Sequence, residues 1–143
     1  MEFDEALDHL DALINHEVIP RAGAIAGLSF APTAELMAAL GNPEGAYPVI
    51  HVTGTNGKGS TVRLVETLLT LMGLRVGSYT SPHLESVTER IRVGAESIPD
   101  DEFGMVVGDI ARTAEANQMD LTWFETATGA ALLHFANEAV DVA

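Results

Sequence analysis

The stretch His51-Val52-Thr53-Gly54-Thr55-Asn56-Gly57-Lys58-Gly59-Ser60 decides how this chain is read. A glycine-rich turn leaves backbone N–H groups free to surround an anion, and a lysine at its centre adds the charge a polyphosphate needs. Lys58 is the only lysine in a chain of 143 residues that carries 21 Asp plus Glu against 7 Lys plus Arg. β-Branched, apolar residues precede the turn at 49–52. Val62, Leu64, Val65, Leu68, Leu69 and Met72 follow it at helical spacing, so the turn joins a strand to a helix over 61–72. Gly73 stops that helix, and 75–79 reads as a second strand. A strand, loop, helix, strand unit predicts a right-handed crossover between parallel strands. The expected fold class is therefore α/β: a parallel sheet, flanked by helices, around a nucleotide phosphate cradle.

A strict phosphate loop reads G-x-x-x-x-G-K-[ST]. This chain departs from it twice, with Val52 at the first glycine position and Gly59 between Lys58 and Ser60. The physical parts are nevertheless present. Gly54, Gly57 and Gly59 permit close backbone approach, Lys58 reaches the β and γ phosphates, and the hydroxyl of Ser60 or Thr61 can face Mg²⁺ at the helix start. A bare glycine turn without a ligand would explain the glycines but not the lone lysine.

The net charge of −14 opposes nucleic acid and anionic membranes as partners, because every phosphate contact would work against a repulsive field. With no cysteine, disulfides and thiolate metal sites are excluded. The acidic start Met1-Glu2-Phe3-Asp4-Glu5 is unlike a secretory signal, and no apolar run approaches the roughly 20 residues that span a bilayer. A cytoplasmic location is the expectation. The hydrophobic share of 47% is enough for a real core.

Phe3, Ala6, Leu7, Leu10, Leu13 and Ile14 predict a first amphipathic helix that ends before Pro20. Thr33 is expected to cap a second helix running to Leu40, which Gly41-Asn42-Pro43 stops. These helices form an N-terminal segment, 1–47, packed on a nucleotide-binding segment, 48–143. Residues 91–93 read as a short strand. Pro99 and the acids Asp100, Asp101 and Glu102 open a helix with Phe103, Val106, Val107 and Ile110 on its buried face. A further helix is expected over 126–137, and 140–143 reads as the opening of another strand. Arg90 and Arg92, two apart on a strand, are expected on one face. His9, His16, His51 and His134 have no partners at metal-ligand spacing and read as structural.

The loop above, followed by Tyr79-Thr80-Ser81-Pro82-His83-Leu84 and by Glu89-Arg90-Ile91-Arg92-Val93, resembles the folylpolyglutamate synthase and dihydrofolate synthase branch of the Mur ligase superfamily. The resemblance implies an ATP-dependent amide ligase in which a carboxylate of dihydropteroate or folate is phosphorylated by ATP and then attacked by the amino group of L-glutamate. It implies that Gly54, Thr55, Asn56, Gly57, Lys58, Gly59, Ser60 and Thr61 hold the ATP phosphates, with Lys58 as the catalytic charge. Ser81 and Ser60 are then Mg²⁺ ligands. Pro82, His83 and Arg90 fall in a loop that helps bind the pterin-bearing substrate, and no catalytic role follows for His83. Leu121, Thr122, Trp123 and Phe124 match a second substrate-contacting stretch, where an aromatic ring can stack on the pterin. Read without the family, the same Leu-Thr-Trp-Phe run is core and Ser81 is a turn residue ahead of Pro82. Gly27 and Leu28 fall near another substrate contact.

Members of that family are longer, and the segment past Val140 supplies further magnesium ligands and a C-terminal glutamate-ligase domain. The chain therefore reads as the front part of such an enzyme, inactive without the missing C-terminal part. Two alternatives stand beside it. One is a nucleotide-binding fragment without catalysis, and the other is a Mur-type ligase acting on a cell-wall precursor.

Overall fold

Helix α1 (Phe3–Asp11) starts where Glu2 and Glu5 cap each other, the Glu2 N–H donating to Glu5 Oε2 at 3.0 Å. Its buried face is Ala6 and Leu10. Helix α2 spans Ala31–Ala39 with Phe30, not Thr33, at its N-cap. Pro32 lies in its first turn, where the missing N–H removes no helical hydrogen bond, so the helix starts ahead of the expected cap. The computed structural model describes residues 1–15 and 29–143. Gly27, Leu28, His16 and Pro20 lie outside the described residues.

The phosphate-loop helix α3 spans Lys58–Leu71, and β1 follows at Gly77–Tyr79. A 3-10 turn at Val87–Arg90 leads into β2 (Ile91–Val93), which returns through Gly94 and Ala95 into β3 (Glu96–Ser97). Both turn residues have positive φ, 61° and 72°, which suits the twist of a two-residue hairpin. Helix α4 (Asp100–Ala116) has Pro99 at its N-cap and three acids in its first turn. Helix α5 (Trp123–Asn137) opens with Thr122 as N-cap and Glu125 as its reciprocal partner.

The core lies among α1, α2, α4 and α5, where Leu10, Leu36, Phe103, Ile110, Val107 and Phe135 are fully buried. Phe3 meets Phe103 edge-on at 5.8 Å, and Tyr47 meets Phe135 edge-on at 6.1 Å. The Tyr47 hydroxyl donates to the Leu132 carbonyl at 2.8 Å, so the ring is buried with its polar end satisfied. Burial, with the Glu44 carboxylate beside it, pushes the Tyr47 phenol pKa up. Gly77 sets the closest approach of sheet and helix. A Cβ there would stand 2.6 Å from the Phe135 ring, so only glycine lets β1 lie on α5.

Strand pairing differs from the expectation in one respect. The named strands form an antiparallel sheet in the order β1-β2-β3, with Gly77 opposite Val93 and Tyr79 opposite Ile91. Among the described residues parallel pairing is confined to the chain around Ala143. Val76 bridges Val142 in parallel, and the Gly77 N–H donates to the Val142 carbonyl at 2.9 Å. On the other side the Ala143 N–H donates to Pro48 and its carbonyl accepts from Ile50, a parallel pattern. The segments before and after α3 therefore run in the same direction as expected, but they are not neighbours: 141–143 lies between them. Residues 49–52 make too few ladder bonds to form a strand, and Val49 and Ile50 stay half exposed.

His134 on α5 is buried, with Glu102 3.7 Å away. Burial, and secondarily the charge of Arg75, lower its pKa from 6.5 to about 4. The folded value lies below the unfolded one, so neutral His134 contributes its full stability above about pH 6.5 and loses it as pH falls toward 4. Urea unfolding across that window is expected to show a loss of up to about 3 kcal/mol, and His134→Leu is expected to flatten the dependence.

Candidate functional site

The glycine-rich loop turns into α3 at one left-handed residue. Gly57 has φ 74° and serves as N-cap of α3, so the helix begins at Lys58, a turn earlier than its apolar periodicity indicates. A side chain with Cβ would be strained in that conformation, whereas glycine adopts it freely. The first helical bond is Thr61 N–H to the Gly57 carbonyl at 2.9 Å, which leaves the N–H groups of Lys58, Gly59 and Ser60 without a helical acceptor. All of residues 53–61 are exposed. A Cβ built at Gly57 or Gly59 meets nothing within 4 Å, so the space above the helix start is open to a ligand.

Lys58 Nζ donates to the Gly54 carbonyl at 2.7 Å and so closes the loop across its own mouth. This bond ties the exposed ammonium back to the loop that precedes the helix. The Thr61 hydroxyl donates to the Gly57 carbonyl at 2.9 Å and braces the same turn. Helix-end dipoles favour an anion here by about 0.3–1 kcal/mol before the lysine charge is added.

Behind the loop lies a cavity of about 490 Å³, lined by Lys58, Ser81 and Phe124 and floored by apolar residues such as Val65 and Val76. The structure thus brings Ser81 to the same cavity as the phosphate loop, as the sequence reading requires. Glu66 also lines it, and the sequence reading missed it. This carboxylate is 2% exposed and accepts from Ser78 Oγ at 2.9 Å, Arg63 Nη1 at 3.3 Å and Arg92 Nε at 3.4 Å. A lone acid among Val62, Val65 and Leu69 on a helix is the signal that marks it in the sequence. Its oxygens are committed to these donors, so it is an anchor between α3, β1 and β2.

A second cavity, of about 530 Å³, is lined by Phe3, Leu10, Pro82, His83, Arg90 and Trp123 among others. Arg90 does not share a strand face with Arg92. It lies in the 3-10 turn, 3% exposed, with its guanidinium 4.4 Å from the Trp123 ring centre and its Nε donating to His83 Nδ1 at 2.8 Å. The His83 ring stacks on Trp123 at 6.2 Å. Glu89 clasps the loop from beneath, accepting from the backbone N–H groups of Leu84, Glu85 and Ser86. The Leu84 and Ser86 bonds foremost hold its carboxyl below the usual range.

The stretch Leu121, Thr122, Trp123, Phe124 divides between roles. Leu121 packs on the core, Thr122 caps α5, and Trp123 is buried yet lines the second cavity. Phe124 is partly exposed at the first cavity, 6.4 Å from Tyr79. Among the described residues no three His, Cys, Asp or Glu side chains converge on a point that would hold a metal ion. The hydroxyls of Ser60 and Ser81 fit Mg²⁺ only as neutral donors that complete a shell begun by phosphate oxygens. No helix among the described residues is long and apolar enough to cross a membrane.

The chain matches no protein-family profile. Over its whole length it is 37% identical to the probable bifunctional folylpolyglutamate synthase/dihydropteroate synthase of Haloferax volcanii, and it spans 16% of that protein. Over 106 residues, 71% of the chain, it is 42% identical to the dihydrofolate synthase/folylpolyglutamate synthase of Bacillus subtilis, which it covers by 25%. Its fold matches the folylpolyglutamate synthase of Thermotoga maritima with a TM-score of 0.85 at 31% identity, covering 98% of the chain and 31% of that structure. A folylpolyglutamate synthase complex with AMPPCP and folate matches at TM-score 0.86 and 33% identity, with 99% of the chain and 34% of that structure covered. The chain spans a quarter or less of the two curated relatives' length.

Removing the Glu66 carboxylate leaves Ser78 and Arg92 without their shared acceptor. Glu66→Ala is expected to lower urea stability by about 1–3 kcal/mol, and Glu66→Gln, which keeps an acceptor for Ser78, by less. Equal unfolding midpoints for wild type and Glu66→Ala would show that the cluster does not hold α3.

Proposed function

We propose that this chain, a relative by both sequence and fold of the folylpolyglutamate and dihydrofolate synthases, carries the ATP-phosphate site and part of the substrate cleft of an ATP-dependent ligase. The reaction joins L-glutamate to a carboxylate of dihydropteroate or folate. The observation that carries this reading is the open, lysine-closed start of α3 on the same cavity as Ser81.

The chemistry explains why those groups are needed. A carboxylate is a poor electrophile, and its phosphorylation brings two anions together. Lys58 and the N–H groups of residues 58–60 neutralise and orient the terminal phosphate, while Thr61 keeps the turn rigid. Mg²⁺, when bound, would lower the negative charge that the incoming carboxylate meets. Ser60 and Ser81 offer it hydroxyls. Once the acyl phosphate exists, the glutamate amine attacks its carbonyl carbon, the C–O bond to phosphate breaks, and phosphate leaves as the amide forms.

The second cavity is assigned to the pterin-bearing substrate. Phe3, Leu7, Leu10 and Trp123 among its lining give apolar and aromatic surface against which a flat heterocycle can lie, and the Ser81-Pro82-His83 segment joins it to the phosphate site. The remaining ligands for glutamate, adenine and metal come in this reading from polypeptide that the relatives have beyond the region matched here. A second reading, nucleotide binding without catalysis, rests on the absence of a carboxylate cluster for Mg²⁺ among the described residues. Phosphate release by this chain alone that depends on dihydropteroate or folate would exclude it.

Lys58→Ala tests the phosphate site directly. The side chain is exposed and its hydrogen bond runs back to the Gly54 carbonyl of the same loop, so the fold is expected to survive. Calorimetric titration with Mg²⁺ and a non-hydrolysable ATP analogue is expected to show at least a ~10-fold loss of affinity, the scale of one charge-assisted contact. Unchanged affinity would remove the phosphate-cradle assignment.

A further inference from the structure

The second cavity contains a histidine whose hydrogen-bonding direction is fixed by its neighbour. Arg90 Nε always carries a hydrogen, and it donates to His83 Nδ1 at 2.8 Å. An imidazole nitrogen that accepts has its lone pair committed, so in the neutral ring the hydrogen resides on Nε2. The alternative tautomer would set two N–H groups against each other.

The plane of the ring is set by a second contact. One face stacks on Trp123 at 6.2 Å with 29° between the planes, and Trp123 is buried and in contact with the Arg90 guanidinium at 4.4 Å. The backbone just beyond His83 is pinned by the three N–H bonds to Glu89. His83 lines the cavity and is only half buried. Asp11 and Glu85 stand on the same cavity against one cation, Arg90, and this acidic balance favours a neutral ring bearing amino or N–H donors of its own over an anionic one. The Ser86 hydroxyl, also on this cavity, is already engaged with Thr88.

We propose that His83 is a positioning residue of this cavity: a fixed-tautomer donor whose Nε2–H binds a carbonyl oxygen or ring nitrogen of a flat, neutral heterocycle. Arg90 sets the tautomer and Trp123 sets the plane. The proposal rests on the assignment of this cavity to the pterin-bearing substrate and names the group that reads one edge of it. A cavity offering an acceptor at His83 instead would select the opposite edge pattern, so the Arg90 bond acts as a specificity determinant.

Trp123 is the only tryptophan in the chain, so its fluorescence reports this cavity alone. Pteroate is titrated into the chain and followed by Trp123 emission, with wild type compared to His83→Asn and His83→Gln. Asparagine keeps an acceptor near the Nδ1 position for Arg90 but lacks a donor at Nε2, whereas glutamine places an amide N–H₂ near Nε2. Pteroate affinity is expected to fall about 10-fold in His83→Asn and less in His83→Gln, with the thermal unfolding midpoint of the asparagine variant and its affinity for an ATP analogue unchanged. Nitrogen-15 NMR of the wild-type imidazoles is expected to show His83 protonated on Nε2. If wild type binds pteroate and His83→Asn binds it equally well, or if His83 carries its hydrogen on Nδ1, the role of His83 is overturned while the cavity assignment stands. If wild type shows no binding, both the cavity assignment and the role of His83 are overturned.

Discussion

A buried carboxylate with 2% exposure is tolerable only if its charge is met, and Glu66 is met by three donors from three places. Arg63 comes from its own helix, Ser78 from β1 and Arg92 from β2. The helix that starts the phosphate loop is thereby fixed to the two strands that lead toward the Ser-Pro-His-Leu segment. Apolar packing gives α3 comparatively little, since Leu64, Leu68, Leu71 and Met72 are exposed and Val62, Val65 and Leu69 face the first cavity. Electrostatic pairing thus does the orienting that a filled core does for α4 and α5.

The two cavities are joined through that pairing. From Ser78 the chain runs through Tyr79 and Thr80 to Ser81 at the first cavity, then to Pro82 and His83 at the second. From Arg92 it runs back through Ile91 to Arg90, which rests on Trp123 at the start of α5. The Thr80 N–H donates to the Arg90 carbonyl at 2.9 Å, which ties the two paths together just before they diverge. Any shift of α3 on occupation of the phosphate loop is therefore felt first at Ser78 and Arg92, and then at the rims of both cavities.

Much of this was legible in the residues. Pro99 with its three following acids marks the start of α4, and Gly73 marks the end of α3, because both rest on local backbone chemistry. The start of α3 was read a turn late because apolar periodicity begins at Val62, whereas Gly57 begins the helix by adopting φ 74°. The start of α5 lies ahead of the expected 126 for a related reason: Thr122 and Glu125 form a capping box, a local signal that places the first turn at Trp123. What sequence could not supply were the long-range pairings. Nothing local says that 141–143 lies between the segments flanking α3, or that Arg90 leaves its expected strand to cover Trp123.

The cavity behind the phosphate loop also limits where an anion can go. Lys58 and Ser81 line it, but so do the apolar side chains of Val62, Val65, Leu69, Val76 and Leu132, and among these last stands the buried carboxylate of Glu66. A phosphate that moved inward would lose water, find no donor among those side chains and approach a like charge, each step being unfavourable. In the proposed reading polyphosphate therefore stays against the N–H groups at the start of α3, away from these apolar walls. In the same reading Ser81 is the link between the two sites, since the chain continues from it through Pro82 to His83 at the second cavity, the side from which a carboxylate held there would approach.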